Sequence, residues 1–320
     1  MKTTRLNGLI AAPFTPFNPD YSLNLKVIPD YVNHLVSQDV TGAFVGGSTG
    51  ECASLSQDER IKLAAAWRTA AGPELKIIIH VGGNVLGDCC LLAAHAESVG
   101  ADAIGALMPC YFKPAGIKGA VEFARAIAAA APNTPFYYYH IPDMTGVHLE
   151  MTVLFPELVR AVPTFRGIKF THWNVMDYSL TLAAAGTDYD ILFGRDETLL
   201  AGLAAGARGA VGSTYNYAAR LYYDLMQSYA AGNLEAARQQ QVYIQRAVLP
   251  ILNHGGQPAN KAIMGMAGVD CGPARTPFLP ISRETLKAVR SELDALNFFE
   301  AIRGKSEDSR RSAIKAAKTG

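Results

Sequence analysis

Short apolar runs alternate along this chain with stretches whose apolar positions recur at helical spacing. "LNGLIAAPFTPF" (6–17) opens as a strand, and "LNLKVIPDYVNHLVSQ" (23–38) follows as an amphipathic helix. The same pair then recurs. Strand-like runs fall at 42–47, 76–83, 101–109, 135–142, 165–171, 190–196 and 207–216. Helical patterns fall at 56–72, 85–100, 117–131, 150–162, 174–186, 197–206 and 217–232. Asp58 and Glu59 suit the positive start of the second helix, and Gly100 closes the third.

A helix after every strand requires right-handed crossovers and a parallel sheet. Eight such units in roughly 230 residues are what a closed barrel needs. Residues 1–232 are therefore predicted to be α/β, a (β/α)8 TIM barrel. A doubly wound open sheet is the competing architecture, but the G-x-G-x-x-G turn expected after its first strand is absent. Residues 233–304 read as helical throughout, a C-terminal helical extension packed on the barrel. Residues 305–320, "KSEDSRRSAIKAAKTG", form a polar basic tail expected to fray.

Composition narrows the function classes. The 320 residues are 49% apolar, enough for a large core within one barrel. Only 18% are charged and the net charge is +1, so neither a nucleic acid nor an acidic surface is an expected partner. The cysteines (52, 89, 90, 110 and 271) are odd in number, include adjacent residues and contain no C-x-x-C pair. Reduced thiols in a cytoplasmic protein follow. The apolar run at the N-terminus is short and broken by prolines, and no other segment approaches a spanning length without a charge. Neither a signal peptide nor a membrane span is expected.

Barrel enzymes carry their chemistry at the C-terminal ends of the strands, so those ends hold the candidates. Lys169 sits among the apolar residues of "FRGIKFT". It is either a strand lysine whose head snorkels to a rim, or a desolvated amine neutral enough to attack a ketone. "GGSTGE" (46–51) is either a strand-to-helix turn with its cap, or an anion nest in which Ser48 and Thr49 hold a small carboxylate or phosphate. Tyr139 shares a strand face with Tyr137, opposite Tyr138. It either packs or moves a proton. Asp196 and Glu197 are either helix-start acids or acceptors for sugar hydroxyls. The seven histidines form neither H-x-H nor H-E-x-x-H. A structural role is expected for each, and a metal site is not.

In order, "GGSTGE", "FYYYHIPDMTG", "FRGIKFT", "FGRDE" and "GAVGSTYN" resemble the family of pyruvate aldolases that contains N-acetylneuraminate lyase and dihydrodipicolinate synthase. The resemblance runs from about Leu6 into the C-terminal helices and is nearer the sialic acid branch. It implies a class I aldolase on a (β/α)8 barrel with C-terminal helices. Such an enzyme would reversibly cleave N-acetylneuraminate to N-acetylmannosamine and pyruvate, with no cofactor beyond a Schiff base. By motif, Lys169 would form that base and Tyr139 would transfer protons. Ser48 and Thr49 would hold the pyruvate carboxylate. Thr171, Gly194, Asp196, Glu197 and Ser213 would bind the sugar portion. Tyr111, in "PCYFKP", would reach a neighbouring subunit's site in a homotetramer. The synthase branch carries an arginine shortly after the proline that follows the catalytic tyrosine, and this chain has "PDMTG" there. That departure argues against an amino-acid semialdehyde as the partner. "YFKP" and "THWN" depart from the family pattern and leave the fine sugar preference open. Two alternatives remain: a pyruvate aldolase acting on another sugar acid or aldehyde, and a catalytically silent ligand-binding barrel.

Overall fold

The computed structural model describes residues 5–303; the basic tail lies outside the described residues. Eight parallel strands close into one barrel in sequence order: β1 (Gly8–Ala11), β2 (Gly42–Val45), β3 (Lys76–His80), β4 (Ala103–Ala106), β5 (Phe136–His140), β6 (Phe165–Phe170), β7 (Asp190–Phe193) and β8 (Gly209–Gly212). β1 pairs with both β2 and β8, so no edge is left open. The strands are shorter than the apolar runs that announce them. β1 stops at Ala11 because Pro13 and Pro16 cannot donate to a ladder.

The helices between strands are α1 (Ile28–Ser37), α2 (Gln57–Ala70), α3 (Leu86–Ser98), α4 (Gly116–Ala129), α5 (Pro142–Thr145), α6 (Met151–Ala161), α7 (Val175–Ala185), α8 (Leu199–Ala204) and α9 (Tyr215–Ala230). α2 begins in the capping box that its sequence advertises: Ser56 Oγ accepts from Glu59 N, and Glu59 reaches back to Ser56 N. The one-turn α5 was not legible in the pattern. Pro142 starts it, and Gly146, at φ 63°, ends it.

Two cores result. Strand residues facing outward, such as Tyr138, Ile168 and Phe170, pack with the helices. Ile10, Phe44, Ile78, Tyr137, Tyr139, Leu192 and Val211 fill the barrel. Gly105 makes room for Phe44, since a Cβ there would stand 2.7 Å from its ring. At the N-terminal end, Tyr137 Oη donates to Asp190 at 2.7 Å.

Beyond α9 lie α10 (Leu234–Asn253), α11 (Gln257–Ala267), α12 (Arg283–Ala295) and α13 (Phe298–Arg303). The extension is not helical throughout. Residues 268–282 contain no helix and run back across the barrel. Pro273, Pro277 and Pro280 lack the N–H that a helix needs. Side-chain bonds hold the segment down instead. Arg275 pairs with Glu59 and donates from its backbone N to Glu51 at 2.8 Å.

Candidate active site

The strand pattern gives the loop after β2 its direction, and its own hydrogen bonds give it a shape. Gly50 O accepts from Thr15 Oγ1 at 2.6 Å and Thr49 O from Gln257 Nε2 at 2.6 Å. Ser48 O accepts from Glu51 N, and Gly47 O from Cys52 N. His80 Nδ1 meets Gly46 O at 2.9 Å, which requires the Nδ1–H tautomer. Every carbonyl from Gly46 to Gly50 is thus occupied, leaving N–H and hydroxyl groups to face a ligand. Such a loop favours an anion. Glu51 is not part of that offer: its buried carboxylate accepts from Lys261 Nζ at 3.1 Å and ties the loop to α11.

Tyr139 and Lys169 are register partners on β5 and β6, both pointing into the barrel. Lys169 is 4% exposed. Its Nζ lies 4.0 Å from the centre of the Tyr139 ring and 4.2 Å from that of Phe44. Aromatic faces stabilise an ammonium far less than water does. Burial therefore dominates and lowers the amine to about 7, although Asp196 partly restores the proton. Tyr139 Oη lies 3.3 Å from Ser48 Oγ. Burial pushes this phenol above the ordinary tyrosine range, against the pull of Ser48. It therefore stays protonated at neutral pH.

The opposite side of the cavity is built after β7 and β8. Asp196 Oδ2 accepts from Thr214 N at 2.8 Å and Thr214 Oγ1 at 2.6 Å, so one of its oxygens is committed to the scaffold. Burial and the neighbouring Asp196 push the Glu197 carboxyl well above the usual carboxylate range. Gly194 must be glycine, because a Cβ would collide with the Thr171 hydroxyl and Phe170 O. Ser48, Thr49, Tyr139, Lys169, Thr171, Gly194, Asp196, Glu197 and Ser213 all line one cavity of about 410 Å³. That is within the roughly 300–1,000 Å³ of small-molecule sites. A cavity of about 240 Å³ around Arg5, Asp190 and Arg208 lies at the other end of the strands, away from Lys169. Tyr111 is not brought into this chain's cavity; it is 78% exposed, its ring edge-on to Phe112.

A family model described as "Dihydrodipicolinate synthetase family" matches residues 5–296. The chain belongs to this family. N-acetylneuraminate lyase A of Xenopus laevis is 44% identical over 278 residues, 86% of this chain and 91% of that protein. The solved Proteus mirabilis N-acetylneuraminate lyase superposes with a TM-score of 0.90 at 39% identity, covering 92% of this chain and 100% of that one. A Ruminococcus gnavus sialic acid aldolase described as a catalytic lysine mutant superposes at 0.86 with 30% identity, covering 92% and 96%. The (β/α)8 barrel and the C-terminal helices expected from the sequence agree with this family.

The extension supplies residues that sequence reading missed. Gln241 and Gln245 both donate to Glu197 O, at 2.9 and 3.1 Å. Asn260 Nδ2 donates to Ser213 Oγ at 3.2 Å while its Oδ1 accepts from Tyr217 Oη. Gln257, Asn260 and Phe278 line the cavity. A signal existed: Gln241 interrupts the buried stripe of Ala237, Ile244, Ala247 and Ile251 on α10. A polar side chain on an apolar face must find a partner.

Proposed function

We propose that the chain is a class I aldolase that cleaves N-acetylneuraminate to N-acetylmannosamine and pyruvate, and runs the reverse reaction. The observation that carries this reading is the buried, partly neutral Lys169 amine against the Tyr139 ring, between an anion-binding loop and a sugar-sized cavity that Asp196, Glu197 and Ser213 line. The names of the similar proteins support the choice of sugar.

In this mechanism, Ser48 and Thr49 bind the substrate C1 carboxylate. The Lys169 amine adds to the C2 ketone and water leaves, giving an iminium. The C4 hydroxyl gives its proton to Tyr139 Oη as the phenol passes its own to Ser48 Oγ and Ser48 passes its own to the substrate C1 carboxylate, which later returns it to C3. The C3–C4 bond breaks, and its electron pair enters the iminium as an enamine. N-acetylmannosamine leaves as the aldehyde. Protonation at C3 and hydrolysis then release pyruvate and the free amine. The imine is the electron sink, so these steps call on no cofactor.

Thr171, Gly194, Asp196, Glu197 and Ser213 hold the sugar portion. Glu197→Gln should lower kcat/KM for N-acetylneuraminate by roughly 10- to 150-fold, the scale of a charge-assisted hydrogen bond of about 1.5–3 kcal/mol. Pyruvate trapping should be unchanged, because pyruvate lacks those hydroxyls. If cleavage and trapping fall together, the acids serve the scaffold. If neither falls and a non-sugar aldehyde is the better acceptor, the sialic acid assignment fails while the aldolase survives. Asp196→Asn is the less clean variant, since Oδ2 already holds Thr214.

The exposure of Tyr111 supports the assembly that the family resemblance implies. Tyr111 and Phe112 are 78% and 85% exposed. Adjacent exposed aromatic rings are costly unless covered. We expect a cytoplasmic homotetramer in which Tyr111 closes a neighbour's site. Light scattering should give four chains, and a fully active monomer would refute that role.

A further inference from the structure

Three loops that follow successive strands meet at the rim of the cavity. Arg195, after β7, lays its guanidinium 3.8 Å from the centre of the Trp173 ring, after β6. Its Nη2 donates to Asp143 in α5, after β5. Its Nη1 donates to Glu197 at 3.3 Å. The side chain is 17% exposed and Arg195 lines the cavity. Nε is buried with no hydrogen-bond partner. The exposed part of the side chain is therefore the terminal fork, where each Nη carries a second N–H beyond those it gives to Asp143 and Glu197.

The electrostatics define what ligand atom that fork would meet. Asp143 pairs with the guanidinium and Glu197 shares it, so its charge is already answered by at least one carboxylate. Arg195 therefore offers a directional donor without a free positive charge. We propose that Arg195 is a specificity-determining residue of the sugar half: a remaining Nη–H of its guanidinium donates to a neutral oxygen, a hydroxyl or amide carbonyl, of the aldehyde portion. Asp143 withholds the guanidinium from any second carboxylate, and Trp173 fixes its plane. This rests on the sialic acid assignment above and extends it to why a neutral polyhydroxy partner is chosen over an anionic one.

Two variants test it, beside wild-type protein assayed for both N-acetylneuraminate cleavage and borohydride trapping of pyruvate. Arg195→Lys keeps the charge but loses the planar fork. Its KM for N-acetylneuraminate should rise about tenfold, with kcat within about threefold and trapping unchanged. Asp143→Asn frees the guanidinium. In the synthetic direction, succinic semialdehyde should gain about tenfold on N-acetylmannosamine as acceptor. An unchanged KM in Arg195→Lys, or an unchanged acceptor ratio in Asp143→Asn, overturns the inference. Equal loss of cleavage and trapping in Arg195→Lys also overturns it, because the residue would then only hold the loops. Wild-type protein that traps pyruvate without cleaving N-acetylneuraminate overturns the assignment itself, and the inference falls with it.

Discussion

Treatment with pyruvate and borohydride should add one reduced pyruvyl group to Lys169, found by mass spectrometry on the peptide containing "GIKFTHWN". Two properties of the site converge on this lysine. Burial lowers its amine to about 7. About half is then neutral at pH 7, against roughly 0.04% for an ordinary lysine near 10.4. The loop at 46–51 has its carbonyls occupied and favours an anion, such as the carboxylate of an incoming keto acid. The pH dependence follows in sign: protonated amine cannot attack, so the trapping rate should rise as pH passes through about 7 and level off above it. The same shift makes the native state gain stability between about pH 7 and 10.5, where the unfolded chain still holds the proton. Lys169→Arg keeps a cation between Tyr139 and Phe44 but cannot form an imine. Its turnover should fall by roughly 10⁴-fold or more. An adduct on another lysine, or a rate that falls as pH rises through 7, would remove Lys169 from the chemistry.

Tyr139→Phe carries the second large effect. The phenol reaches from β5 towards Ser48, at 3.3 Å. Removing one oxygen leaves the ring under Lys169 in place, so the fold and the imine should survive. What disappears is the proton path from the C4 hydroxyl. Turnover should drop roughly 10²–10⁴-fold, the usual contribution of a positioned acid–base group. Pyruvate trapping measured on the same preparation separates the outcomes. Near-normal turnover would make Tyr139 a packing residue. Loss of trapping in step with turnover would mean that the phenol holds the pyruvate half.

Much of this was legible because the signals are local. The eight-fold alternation of strand and helix depends on side-chain periods, and periods depend only on neighbours along the chain. The same periods put Tyr139 and Tyr137 on one face and Tyr138 on the other, as the two cores confirm. Lys169 stood out because an amine in an apolar strand is a local contradiction. Prolines were less well read. They ended β1 early and kept residues 268–282 out of a helix, yet Pro142 started one.

The chain's own order of residues determined the barrel, the segments that follow its strands and the position of an amine inside an apolar strand. Only the closed barrel decided how those ends meet. Ser48 and Tyr139 come from strands that are not neighbours, and their 3.3 Å contact exists because the sheet curves round on itself. The amine's lowered proton affinity likewise needs burial, which no window of sequence measures. Gln241 and Asn260 act on Glu197 and Ser213 across 44 and 47 positions of sequence. Arg195 joins Asp143 across 52. Pairings at such separations leave no period behind, because they are set by how helices pack on the barrel and not by the neighbours each residue has along the chain.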